Sequence, residues 1–262
     1  MPRQPDTARQ SLKLTGGLAG CLACKTAPAL SLVYLACLFG LALELMPTSA
    51  RAQADISGSV ALQSEYRYRG QNPGKGGAVP QVTVNVDGLA GWYLGGFASA
   101  MTIGDVEGYK LQGYAGYAQR MRSGGSWEAG CSRITYTQAH DNDFSECYAG
   151  LSFERGSTRV YYSPKYLGFS ARTVYAEVSA FYPVHPRFNL IAHAGVLYNL
   201  SDGYFPGIPS SSRVDARLGV GIPFGNWTAQ IAREYVQDDG RRYISYPVHP
   251  PKSWSFGVTY AF

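Results

Sequence analysis

From residue 55 onward, apolar side chains recur at every second position in short runs, and glycine, proline, asparagine or aspartate interrupts each run. Successive side chains of a strand point to opposite faces, so this period of two predicts β-strands joined at the interruptions. Ile56, Gly58, Val60, Leu62, Tyr66 and Tyr68 oppose Ser59, Gln63, Glu65, Arg67 and Arg69; Val82, Val84 and Val86 oppose Gln81, Thr83, Asn85 and Asp87. Residues 92–101 read as a strand of unassigned facing. A connection at 104–108 precedes Leu111, Ala115 and Tyr117, which oppose Lys110, Gln112, Tyr114 and Arg120. Within 127–138 the parity slips from Trp127, Ala129 and Cys131 to Ile134 and Tyr136, which predicts a β-bulge near Ser132. Cys147, Ala149, Leu151 and Phe153 then oppose Glu146 and Tyr148, and residues 159–163 form the next run. Val174, Ala176, Val178 and Ala180 oppose Tyr175, Glu177 and Ser179; Phe188, Leu190, Ala192, Ala194 and Val196 oppose Asn189 and His193. Val214, Ala216, Leu218 and Val220 oppose Arg213, Asp215 and Arg217. Residues 227–236 precede a second long loop at 237–251, the first being 201–212. In the closing stretch Trp254, Phe256, Val258, Tyr260 and Phe262 share one face.

That makes about twelve strands. Tight turns follow the even-numbered ones, and longer polar connections follow the odd-numbered ones. Alternating short and long connections with an even count match an up-and-down antiparallel transmembrane β-barrel. The competing arrangement is a soluble two-sheet sandwich, whose polar faces would meet water and be rich in lysine and glutamate. After residue 54 only Lys75, Lys110, Lys165 and Lys252 occur, and the polar faces carry arginine, glutamate, glutamine, serine and tyrosine of mixed sign. Such side chains can pair across a narrow interior, and closure removes every strand edge. An aromatic-rich last strand would be adhesive in water, whereas it suits the lipid face of a barrel.

Residues 27–46 form an apolar run after a basic segment and before Ala52-Gln53-Ala54, a small-residue cleavage signature. Residues 1–54 therefore read as a cleaved signal peptide, an uncleaved anchor being the alternative, and 55–262 as one barrel domain. The composition fits: 31 Gly and 20 Tyr with 16% charged residues, against roughly a quarter charged in ordinary soluble domains. The net charge of +5 falls to +2 once Arg3, Arg9, Lys13, Lys25 and Arg51 are set against Asp6 and Glu44, five minus two. Nothing in it suggests nucleic acid. Export leaves Cys131 and Cys147 as an even pair in an oxidising compartment, which favours a disulfide over two free thiols.

The stretch Gly58-Ser59-Val60-Ala61-Leu62-Gln63-Ser64-Glu65-Tyr66-Arg67-Tyr68-Arg69-Gly70 resembles the opening motif of the TorF family of porins. Glu146-Cys147-Tyr148-Ala149-Gly150-Leu151-Ser152-Phe153 and Tyr161-Tyr162-Ser163-Pro164-Lys165-Tyr166-Leu167-Gly168 are similar to two further segments of that family. The resemblance implies a bacterial outer-membrane barrel proposed to be a porin, with no established substrate. Phe256, Val258, Tyr260 and the terminal Phe262 resemble the closing strand by which bacterial outer-membrane proteins are assembled. The partners so implied are outer-membrane lipid and lipopolysaccharide, the barrel-assembly machinery and small solutes, with both termini periplasmic.

The inward positions collect charge: Glu65, Arg67, Arg69, Lys110, Glu146, Arg159, Glu177, His193, Arg213, Asp215 and Arg217, with Asp87 and Glu234 beside them. Rings of charge set selectivity in pores, so the expectation is passive diffusion of small polar or anionic solutes with a modest anion preference. A lumen plugged by its own ion pairs, or a ligand-binding barrel, is the alternative, because twelve strands lie between filled and open sizes. An enzyme is the weakest reading. His140, His185 and His249 fall in loops or turns, a single inward His193 suits a hydrogen-bonded lining residue, and no metal-ligand or cofactor spacing occurs.

Overall fold

The computed structural model describes residues 54–71, 77–103, 106–205, 208–237 and 252–262. The expected signal peptide, apart from Ala54, and the loop at 238–251 lie outside them. Twelve antiparallel strands form one closed barrel: β1 (Asp55–Gln63), β2 (Val79–Asp87), β3 (Trp92–Ile103), β4 (Val106–Arg120), β5 (Ser126–Tyr136), β6 (Phe144–Phe153), β7 (Gly156–Ser163), β8 (Thr173–His185), β9 (Phe188–Asn199), β10 (Ser212–Phe224), β11 (Trp227–Val236) and β12 (Lys252–Ala261). Each strand pairs with its neighbours in sequence, and β12 closes on β1 through Ser59 opposite Ala261. Phe262 completes the seam: its N–H donates to the Gly58 carbonyl at 3.0 Å and its carbonyl accepts from Gly58 N–H at 2.9 Å.

Asp55, Phe262 and all the tight turns lie at one end, here the turn end; the connections after odd strands start from the other, the loop end. One expected long connection is absent. Val106, Glu107 and Gly108 belong to β4, with Ile103 paired to Val106, so only two residues separate β3 from β4.

The outer surface is apolar. Leu62, Leu94, Phe153, Val178, Leu190, Leu218, Ile231 and Phe256 are all exposed, along with many other large apolar residues of the same parity. A soluble monomer rarely exposes so continuous an apolar surface, and hydrocarbon is the solvent in which it is at rest. Near the turn end, rings form contiguous clusters: Trp92 against Tyr117, Tyr117 against Trp127, and Phe224, Trp227, Tyr260 and Phe262 in sequence. Amphipathic rings at the boundary between hydrocarbon and water give such a girdle.

No bulge occurs near Ser132. The register of β5 runs unbroken against β4 and β6 through Cys131, Ser132, Arg133 and Ile134. The apparent parity slip has another cause: towards the loop end the barrel is turned inside out in polarity. Ile134 and Tyr136 point inward and are buried, while Arg133 and Ser145 face outward. The described register shift falls instead at Pro183 and His185 of β8, where proline cannot donate to the ladder.

Cys131 and Cys147 are directly opposed on β5 and β6, with Cα atoms 3.9 Å apart, and form a disulfide. Their side chains lie on the outer, exposed parity of the barrel.

Candidate functional site in the barrel lumen

Beyond Gln63 the chain leaves the sheet. Tyr68 and Gln71 exchange backbone hydrogen bonds at 2.8 and 2.9 Å around Arg69 (φ 49°) and Gly70 (φ 74°). Two consecutive left-handed residues in a two-residue loop make a type I′ turn, and glycine at the second position carries that geometry without strain. This small hairpin folds into the lumen. Tyr66 and Tyr68, expected on the lipid face as a continuation of β1, are therefore inside: Tyr66 is buried against Phe97, and the two tyrosines stack on each other. The period of two is real here, but the strand ends before it.

The turn delivers Arg69 to the far wall. Its Nη2 donates to both oxygens of Glu146, at 2.9 and 2.7 Å, and both side chains are almost fully buried. The guanidinium also lies over the rings of Tyr68, Tyr161, Tyr166 and Tyr175, at 4.7 to 5.5 Å from their centroids. Arg213 Nε donates to the Arg69 carbonyl at 3.3 Å, and Lys110 Nζ donates to Tyr66 Oη at 3.0 Å above the Tyr68 ring. Around this hub the loop-end half of the lumen is packed. Met101, Ile134, Phe144 and Leu197 reach in from the wall, and Tyr166, Leu167, Ala171 and Ile208 reach in from the loops.

The turn-end half is hollow, for a reason visible in the pairing. Adjacent strands lie about 4.8 Å apart, so a long side chain reaches across a neighbouring strand only where that strand offers no Cβ. Tyr93 of β3 and Tyr148 of β6 share a row with Gly116 and Gly130, and their hydroxyls meet over the two glycines at 2.8 Å. A Cβ on Gly116 would sit 2.5 Å from Tyr93 Oη, and one on Gly130 would sit 2.7 Å from Tyr148 Oη. Tyr114 lies across Gly95 in the same way and donates to Asn85 Oδ1. Arg159 crosses Gly150 to donate from Nε to Glu128 Oε1 at 2.6 Å, and Glu128 Oε2 accepts from Tyr93 at 2.9 Å. Side chains that bridge over glycine lie flat along the wall and leave the centre free. The chamber they enclose measures about 420 Å³.

Between the two halves lies a second cavity of about 220 Å³, walled by Arg67, Glu177, His193, Asp215, Arg217 and Glu234. Each carboxylate there has a donor: Glu177 accepts from Tyr161, Asp215 from Tyr175, and Glu234 from Ser255. Arg67 pairs with Glu65 at 2.9 Å and contacts Ser253. Arg217 makes no described hydrogen bond or ion pair. His193 uses both ring nitrogens, Nδ1 with Ser179 Oγ at 2.9 Å and Nε2 with Asp215 Oδ1 at 3.2 Å. Serine, histidine and aspartate thus stand in the order of a hydrolytic relay. They face the lumen wall, however, where the strand N–H groups that could hold an oxyanion are spent in the ladder, and Tyr175 competes for Asp215 and for Nε2.

The eleven residues expected to line the interior do not form one ring. Lys110 and Arg213 are buried in the filled half, Arg69 and Glu146 reach from it to the wall of the middle cavity, and Glu177, His193, Asp215 and Arg217 border that cavity together with Arg67, which carries Glu65 on its guanidinium. Arg159 belongs to the hollow half. Sequence reasoning missed Glu128, the partner of Arg159, because the parity of β5 was obscured by the polarity inversion. It also missed the tyrosine wall. The legible signal was reciprocal spacing, Tyr93-x-Gly95 on one strand against Tyr114-x-Gly116 on the next. No group of metal-ligating side chains occurs among the described residues.

The pattern defining a family of bacterial proteins of unknown function (Gcw_chp) matches residues 48–249. No curated protein sequence matches the chain. Among solved structures, the NanC porin is similar at TM-score 0.51 and 11% identity, covering 79% of this chain and 99% of that one. The KdgM porin is similar at 0.48 and 13%, with the same coverage. The COG4313 outer-membrane channel from Pseudomonas putida F1 is similar at 0.41 and 11%, covering 80% and 94%. At these identities the likeness speaks to the barrel fold alone.

Proposed function

We propose, for a chain that belongs to the Gcw_chp family of bacterial proteins of unknown function, an outer-membrane channel for passive diffusion of small polar or anionic solutes. The carrying observation is the pairing of an apolar outer wall with a polar interior that stays hollow over its turn-end half. The resemblance of its opening and middle motifs to TorF family porins supports the same reading. Short turns beside the start of β1 and the end of β12 support a periplasmic turn end. Lipid and lipopolysaccharide then meet the aromatic girdle, and the barrel-assembly machinery meets the closing strand with Phe256, Val258, Tyr260 and Phe262.

Solutes pass beside the Arg69 hub, along the wall of β10 and β11 where the middle cavity lies. Selectivity there is modest, because carboxylates and arginines nearly balance. Among the described residues, Arg217 is the cation left to greet an anion.

The packed loop end favours a second reading, a plugged barrel that binds a ligand without conducting. Single-channel recording of the purified protein in planar bilayers separates the two: discrete open steps support the channel, and a silent membrane containing folded protein refutes it.

A further inference from the structure

The hollow half holds more than water requires. Four tyrosines, Tyr93, Tyr114, Tyr148 and Tyr161, border the 420 Å³ chamber together with Asn85 and Gln112. The first three lie across glycines, so one side of each ring rests on backbone and the other side is turned to the lumen. Removal of any of these glycines would raise its tyrosine off the wall, so the flat aromatic lining is a built feature of the pairing. The polar groups around the rings are arranged as well. Tyr93 and Tyr148 are linked at 2.8 Å, and Tyr114 occupies only the oxygen of the Asn85 amide, leaving its NH₂ to donate. Gln112 makes no described side-chain hydrogen bond and offers both donor and acceptor.

Charge narrows the choice of occupant. Among the described residues the one cation of the chamber, Arg159, is neutralised by Glu128 at 2.6 Å, and Asp87 is the remaining charge. An anion would therefore meet a wall slightly negative overall, with its only arginine already engaged. A purely apolar solute would strand the amides and hydroxyls, a penalty avoided only by a ligand that satisfies them. A pyranose meets both demands. Its C–H face carries slight positive charge and suits the negative face of a tyrosine ring, while its equatorial hydroxyls reach amide and carboxylate groups at the ring edges. The chamber volume falls within the roughly 300–1,000 Å³ range of small-ligand pockets.

We propose that the turn-end chamber, with Tyr93, Tyr114 and Tyr148 laid over glycines beside Asn85 and Gln112, is a binding site for an uncharged saccharide. The proposal rests on the channel reading for its purpose, since a site inside a pore must hold its solute weakly enough to release it. It sharpens that reading by making neutral sugars, rather than anions, the solutes this half selects.

The test uses the full barrel purified in lauryldimethylamine oxide, a detergent without a sugar headgroup. Titration calorimetry reads binding of maltose and of glucuronate, and heat-modifiable gel mobility verifies folding of every variant. The expected result is maltose affinity in the about millimolar range, with glucuronate at least about tenfold weaker. Combined Tyr114→Ala and Tyr148→Ala substitution weakens maltose by about tenfold or more, Tyr114→Phe retains the ring and most of the affinity, and Arg133→Ala, on the outer face, leaves it unchanged. Folded wild-type protein that ignores maltose, prefers glucuronate, or keeps its affinity without the two rings overturns the proposal. Planar-bilayer conductance on the same preparation keeps the two readings apart. Saccharide binding by a silent barrel removes the channel and leaves the site, whereas open steps without saccharide binding remove the site and leave the channel.

Discussion

The two halves of the lumen are built from the same residue types and end in opposite states. At the loop end Arg69, Lys110, Glu146 and several tyrosines converge on the centre and fill it. At the turn end Arg159, Glu128 and another set of tyrosines pair along the wall and leave a chamber. Glycine and an inserted turn make the difference. Where inward glycines alternate with tyrosine, long side chains bridge sideways and hug the sheet. Where the chain beyond β1 folds inward as the turn at Arg69 and Gly70, it supplies a central partner toward which the wall residues reach. A barrel of fixed strand number is thus neither open nor filled by its size alone.

The most damaging way to probe that contrast is Glu146→Ala, which leaves the buried Arg69 charge without its carboxylate. We expect a loss of about 3–5 kcal/mol in unfolding free energy, read from denaturant titration in micelles or vesicles. The corresponding change in the hollow half, Glu128→Ala beside the partly exposed Arg159, should cost far less. Equal losses would abolish the distinction between a hub and a wall pair.

Leu197→Ala comes next. Leu197 is fully buried in the filled half, and removing its methyl groups should cost about 2–5 kcal/mol. A negligible loss would show that the loop-end cluster is not packed as a core. In the hollow half, Tyr148→Phe removes one hydroxyl from the link with Tyr93. It should cost about 1 kcal/mol and leave the barrel fold unaltered by circular dichroism. A penalty as large as that of Leu197→Ala would mean that the chamber wall bears the fold as the plug does.

The smallest effect is electrical. Arg217→Ala removes a guanidinium that no described residue pairs from the middle cavity, and the reversal potential in a salt gradient should shift toward cation preference with little change in stability. An unmoved reversal potential would take Arg217 out of the conduction path.

Much of this architecture was legible along the chain. The twelve strands and most of their turns follow from alternation, because a strand with lipid on one side and a polar lumen on the other has little choice of facing. The illegible parts share a cause: alternation says which face a residue takes but not what lies opposite. Tyr66 and Tyr68 continue the period of β1 without belonging to the sheet. Ile134 and Tyr136 break parity without a bulge, since the interior itself turns apolar at their level. Glu128 was hidden by the same inversion.

The primary structure by itself therefore determined an exported-looking, charge-poor, aromatic-rich ribbon with period two, and with it a closed barrel whose apolar rows face outward. Only the tertiary structure decided that the lumen is divided. Pairing register sets which glycine lies beneath which tyrosine, and the left-handed turn at Arg69 and Gly70 carries an arginine from the end of one strand to a glutamate on the far wall. Both are relations between residues distant in the chain, fixed by distances of a few ångströms across the sheet or the lumen, and no local pattern encodes them.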